Sequence, residues 1–245
     1  MRKALLSFAI VLFSIRPGWP QTKLSVHWEE LTAAEFQSAI EQSKGTCLLP
    51  FGILEKHGPH LPLGTDLLKV RYEVLHAAEQ EYAIVFPEYY FGQIFEARHE
   101  PGTVAYSAHL QLDLLQETTD EMARNGCKKI MIVNGHGGNE NLLPFFAQSQ
   151  LEKPHDYVVY VMGLVESPGG PPKKTSVDMH AGESETSKML ISNPNLVHLG
   201  RANQESGADQ ARLIIAIRSV KADQDSLKLQ NEFFEKARHP LDTQP

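Results

Sequence analysis

Between Glu55 and Asp66 the chain offers two carboxylates and two imidazoles, in the run Glu55-Lys56-His57-Gly58-Pro59-His60-Leu61-Pro62-Leu63-Gly64-Thr65-Asp66. Glycines and prolines among them fix an irregular backbone. Glu55 and His57 are two apart, so on extended backbone both side chains point to the same side. Asp66 opens a helical pattern, where it can cap and also return towards the preceding strand end. A second place, Asn134-Gly135-His136-Gly137-Gly138-Asn139-Glu140, sets one imidazole in a turn with almost no neighbouring bulk. A third, from Asp178 to Ser187, adds His180, Glu183 and Glu185 where a loop turns into a helix. Carboxylate and imidazole without thiolate suit Zn, Mn or Fe(II), and an Asp able to bridge suggests two ions.

Each cluster alone has a plainer reading. Gly-His-Gly-Gly is a common sort of turn. As an anion-binding loop, the same stretch lacks the Lys and Ser/Thr of a P-loop. Glu183 and Glu185 suit the first turn of a helix, where the dipole favours negative charge. What these readings leave unexplained is three such clusters, each placed where strand ends should converge.

The elements that must position them follow from hydrophobic periodicity. Strands are expected at 46–54, 83–87, 129–133 and 157–161, and amphipathic helices at 66–81, 110–125, 139–152 and 183–191, with Gly126 closing the second helix. Strands alternating with helices predict an α/β fold with a mostly parallel sheet covered on both faces. In such a sheet the active site lies beyond the carboxyl ends of the strands, where the three clusters fall. The Pro- and Gly-rich stretch 167–174 reads as a loop within one domain spanning 21–245, and a terminal helix is expected between Asp223 and the C-terminus.

The chain has 245 residues, 42% of them hydrophobic, and a net charge of −7, with no dense basic stretch. That excludes a surface made for nucleic-acid phosphates and points to a small molecule or a peptide as partner. Arg2 and Lys3 precede an apolar run from Ala4 to Ile15, broken at Arg16-Pro17-Gly18, the layout of a signal peptide over residues 1–20. The run is too short for a stable membrane span, so an exported protein, periplasmic or secreted, is expected. Cys47 and Cys127 each flank an apolar strand and are expected to be two buried free thiols.

At this point the sequence resembles the creatininase family of amidohydrolases. The likeness rests on Glu55-x-His57-Gly-x-His60-Leu-Pro-x-Gly-Thr-Asp66, Pro101-Gly102-Thr103, Asn134-Gly-His136-Gly-Gly-Asn139 and His180-Ala-Gly-x-x-Glu185-Thr-Ser, in that order along the chain. It implies a three-layer α/β/α sandwich, two divalent ions per chain at the strand ends and a homo-hexamer. Carried over position by position, it implies one ion on Glu55, Asp66 and His136, and another on His57, the bridging Asp66 and a further carboxylate. In the creatinine-hydrolysing members that carboxylate comes two residues after the motif's His, where this chain has Gly138. Glu185 is the expected replacement and Glu183 the alternative. The resemblance makes His180 the catalytic imidazole, which would protonate a departing nitrogen.

The implied activity is hydrolysis of a C–N bond in a cyclic amide, formamide or modified peptide by metal-activated water. The rival from another class is an inactive metal-binding scaffold for a small ligand. Creatinine itself is not the expected substrate, because Met179 precedes His180 where the creatinine enzymes carry Glu, and the only two Trp residues, Trp19 and Trp28, lie near the N-terminus.

Overall fold

A computed structural model describes residues 24–163 and 180–204. The expected signal segment, the 167–174 loop and the terminal helix lie outside the described residues. Four parallel strands form one sheet in the order β2-β1-β3-β4: β1 (Thr46–Phe51), β2 (Ile84–Val85), β3 (Lys129–Asn134) and β4 (Val158–Met162). β1 and β3 run side by side in register from Thr46 against Lys129 to Phe51 against Asn134. Both are buried on two faces, which is why they read as continuous apolar runs instead of alternating ones.

Alternate side chains of these strands enter two separate cores. Cys47, Leu49, Phe51, Ile130 and Ile132 pack with residues of α1 (Ala33–Gln42), α3 (Ala108–Arg124) and α4 (Leu142–Ser149). Leu48, Met131 and Val133 face Val70, Val74, Ala77 and Ala78 of α2 (Thr65–Gln80). α5 (Glu183–Ser192) lies against α2, tied by Lys188 to Glu73 at 3.2 Å. The result is the expected three-layer sandwich.

Three departures from the sequence reading have physical causes. α1 was not anticipated, although Thr32 and Glu35 form a capping box at its start. The helix expected over 139–152 is broken into a 3-10 turn at Gly137–Glu140, α4 and another 3-10 turn at Gln150–Glu152. The buried Asn139 side chain causes the first break, since it accepts from Gln93 N–H and donates to Asn134 Oδ1, holding its turn against the strand end. The third departure is a correction: Cys47 and Cys127 are not free thiols but a disulfide. They are 80 residues apart in sequence, yet the pairing of β1 with β3 sets Cys47 opposite Ile130, and Cys127 enters beside it from the end of α3.

Two glycines decide where α2 begins. A side chain at Gly52, just after β1, would put its Cβ 2.6 Å from Leu67 Cα. At Gly135, just after β3, it would lie 2.6 Å from the Asp66 carbonyl oxygen. The first turn of α2 therefore nests on bare backbone between the ends of the two central strands, and Asp66 is carried into the gap.

Candidate metal centre

Beyond Phe51 the chain runs without ladder partners through residues 52–57, with Gly52 N–H bonded to the Tyr89 carbonyl and Glu55 N–H to that of Leu63. Glu55, His57, Asp66 and His136 are all buried. His136 Nδ1 lies 2.9 Å from Asp66 Oδ2 and 3.1 Å from Glu55 Oε1. His57 Nε2 lies 3.4 Å from Asp66 Oδ1 and 3.7 Å from Glu185 Oε1. Asp66 thus turns one oxygen to each imidazole. The five side chains form two groups whose ligand atoms lie within 4.8 Å of one another, Glu55–Asp66–His136 and His57–Asp66–Glu185, with Asp66 common to both.

The donors aim at common centres more than at each other. Glu55 Oε1 and His57 Nε2 are buried without a hydrogen-bond partner, although they stand only 4.0 Å apart and Glu55 Oε1 is 3.1 Å from His136. Buried polar atoms left in this way are costly unless something else satisfies them. An all-oxygen and imidazole donor set fits a divalent ion of the Zn, Mn or Fe kind. His57 Nδ1 is held by the Glu55 carbonyl oxygen at 3.2 Å, so its Nε2 is the atom left for a ligand.

Electrostatics follow the geometry. Burial opposes charge on His57, but the carboxylates of Asp66 and Glu185 outweigh it and push its pKa up to about 10. The same contest at His136, with Asp66 and Glu55 as the anions, ends at about 9. Burial would raise Asp66, yet His136, His57 and Lys69 hold its carboxyl far below the usual range. Glu185 is lowered against burial by His57 and Lys69.

Glu185 sits on the first turn of α5. The N–H of Ala181, a residue in the left-handed region at φ 57°, donates to Glu185 Oε2 at 2.6 Å and leaves Oε1 facing His57. Glu183, the alternative carboxylate, is buried at the same helix start but belongs to neither group. A side chain at Gly138 would put its Cβ 2.4 Å from His136 Nε2 and 3.1 Å from the Gln93 carbonyl oxygen, so a carboxylate there would require the His136 ring to shift.

His180 stands at the edge, with its side chain 48% exposed. Its Nε2 donates to the Lys56 carbonyl oxygen at 2.6 Å, which leaves Nδ1 turned to the centre, 3.8 Å from Glu55 Oε1. The ring is tilted over His57 with centroids 4.4 Å apart. His180 also forms a third compact group with Glu55 and His57.

One participant escaped the sequence reading. Lys69 is buried, with Nζ 3.2 Å from Asp66 Oδ1 and 3.5 Å from Glu185 Oε1. Its one signal is its place at i+3 from a candidate ligand, on that ligand's helix face, and the apolar run around it masks even that. His60, read from the sequence in the first cluster and the family motif, is buried and bonded through Nε2 to Thr186 Oγ1 at 3.0 Å, tying the β1 loop to α5.

A parallel sheet with carboxylates and imidazoles gathered beyond its strand ends has the donor set of a divalent-metal centre. The creatininase family profile, described as creatinine amidohydrolase, matches residues 29–232, and the chain belongs to that family. It is similar to the creatinine amidohydrolase of Pseudomonas putida, 28% identical over 72% of this chain and 75% of that protein. The mycofactocin precursor peptide peptidase of Mycolicibacterium smegmatis is 32% identical over 60% of this chain and 58% of its own length. A 2-amino-5-formylamino-6-ribosylaminopyrimidin-4(3H)-one 5'-monophosphate deformylase of Methanothermobacter marburgensis is 28% identical over 62% of each. Among solved structures, a manganese creatininase superposes with a TM-score of 0.68 at 24% identity, over 87% of this chain and 96% of that one. A Zn-Zn creatininase variant does so at 0.67 with the same identity and coverage.

Proposed function

We propose that the protein is a two-metal amidohydrolase that cleaves a C–N bond in a cyclic amide, a formamide or a modified peptide. The observation that carries this reading is the pair of ligand groups sharing Asp66. Glu55, Asp66 and His136 hold one divalent ion, and His57, Asp66 and Glu185 hold the other. When bound, such ions supply Lewis acidity towards a carbonyl oxygen and a water acidified to near neutrality. Asp66, with Oδ1 towards His57 and Oδ2 towards His136, would serve both positions.

His180 supplies the proton for the leaving nitrogen. The Lys56 carbonyl fixes the ring with Nε2 as donor, so proton transfer uses Nδ1, the nitrogen facing the centre. Its exposure leaves the ring open to a substrate arriving from solvent. Creatinine is not the substrate in this reading: Trp28 packs against Phe36 and Phe86 in the core instead of lining the site. The named relatives act on a ring amide, a peptide precursor and a formylamino group, which sets the range to test.

The protein works after export. The signal-like N-terminus and the Cys47–Cys127 disulfide support this reading independently, since such bonds persist in oxidising compartments. Metal analysis of purified protein, followed by assays on cyclic amides, formamides and short modified peptides, tests the activity. Two ions per chain with turnover on one class is expected, and a metal-free protein that hydrolyses any of them overturns the assignment. Recovery from native cells of an uncleaved, cytoplasmic chain overturns export.

A further inference from the structure

We infer that Lys69 is a built-in counter-ion to both carboxylates of one metal position and to the shared carboxylate alone of the other, making the ion on His57–Asp66–Glu185 the weaker and more exchangeable of the two. The inference rests on the ligand reading given above. Lys69 Nζ contacts Asp66 Oδ1 at 3.2 Å and Glu185 Oε1 at 3.5 Å. These are the same two oxygens that face His57 Nε2, at 3.4 and 3.7 Å. The ammonium and an incoming ion therefore draw on the same lone pairs. Nothing comparable stands in the other group, where His136 faces Asp66 Oδ2 and Glu55 Oε1, neither of which is within ion-pair reach of Lys69 among the described contacts.

The charge balance points the same way. Two carboxylates serve each position, with Asp66 shared, but only the His57 position carries a buried permanent cation against both of its carboxylates. A positive charge about 3 Å from the ligand oxygens lowers their attraction for a divalent ion, strongly so away from water. Burial keeps Lys69 from retreating into solvent, since the residue is only 5% exposed. It has somewhere to turn when an ion arrives: Glu73, at i+4 on the same helix face, acts on it electrostatically and is itself bridged to Lys188 of α5 at 3.2 Å.

The test is zinc and manganese titration of the full chain against a buffered chelator, in wild type, Lys69→Met and Lys69→Arg, with folding checked by circular dichroism. Wild type should hold one ion through chelation and release the second. Lys69→Met removes the charge and keeps the stem, and should tighten the second ion by about tenfold or more with the first unchanged. Lys69→Arg keeps the charge and should leave the second ion weak. Glu185→Gln in the Lys69→Met background should abolish the gained site, which places it. A second ion unchanged or weakened in folded Lys69→Met overturns the inference and makes Lys69 a strut for its two carboxylates. If neither wild type nor variants retain any ion, the ligand reading itself fails.

Discussion

The centre is built from two unlike sides. Glu55, His57, Asp66 and His136 come from the ends of β1 and β3 and from the helix wedged between them, and none is more than 7% exposed. His180 and Glu185 come from a loop and the first turn of α5, and their side chains are 48% and 22% exposed. The inner side is held by the sheet register, by the bare backbone at Gly52 and Gly135 and by the disulfide between the strands' beginnings. The outer side is tied by the Ala181 and Lys56 backbone bonds, the His60–Thr186 bond and the Lys188–Glu73 and Lys69–Glu185 pairs. A rigid side suits ligands, whose geometry must precede the ion, and a more open side suits a group that meets substrate.

The sharpest way to break this division is at Asp66, which serves both groups. Asp66→Ala should lose both ions and all measurable turnover. Glu185→Gln should lose one ion, and Glu183→Gln none, by metal analysis of desalted protein. Two ions retained by Asp66→Ala would show that the inner side does not bind them. His180→Ala tests the outer side: it should keep ions and fold while kcat falls by roughly 10²–10⁴-fold, the usual loss for a general acid. Emptying of the site by this variant would make His180 a ligand, as its compact group with Glu55 and His57 allows. Turnover within a few-fold of wild type would move the proton to another residue.

The same division explains what the sequence disclosed. Strand ends in a parallel sheet are marked by local signals: an apolar run, then glycine, then a polar residue. So the convergence of the Glu55, His57, Asp66 and His136 clusters could be read from the alternation alone. The pairing of Cys47 with Cys127 could not, because it depends on β1 and β3 being neighbours, and strand order is not written in either segment. Lys69 was hidden for the opposite reason. In the run Leu67-Leu68-Lys69-Val70 it reads as an exposed interruption of an apolar face, and only the arrival of α5 turns that face into an interior. Glu185 came from the family resemblance, and Gly138 shows why it was needed: that position of the β3 loop carries no side chain, and the His136 ring lies where one would start.

The disulfide offers a milder test, aimed at the scaffold beneath the inner side. Replacing both Cys47 and Cys127 by Ala removes a bond that closes a long loop, and should cost about 2–4 kcal/mol in denaturant unfolding. Both residues are fully buried and pack in the core with Leu49, Ile130 and Ile132, so the metal stoichiometry of the folded variant should be unchanged. A loss of ions at native stability would mean that the bond tunes the ligand geometry directly.

The last expected effect is one of pH on the protein stripped of metal. There the inner side is held by imidazolium–carboxylate pairs, with the pKa of His57 raised from 6.5 to about 10 and that of His136 from 6.5 to about 9. In the unfolded chain both rings titrate near the ordinary value. A group whose folded pKa is raised favours the folded state fully while it is protonated in both states, here below pH ~6.5, and loses that contribution as pH climbs through the folded value. Metal-free protein should therefore lose thermal stability progressively between pH ~6.5 and about 10. The carboxylates do not offset this, since Asp66 and Glu185 are lowered and already ionised in both states across that window. With ions bound the imidazoles are neutral ligands, their protons already displaced, so the loaded protein should lack the decline. Thermal melts of both forms across the window measure it. A metal-free protein whose Tm is flat from pH 6.5 to 10 would mean that the two imidazoles are not charged in the empty site. The inner side would then be held by packing alone.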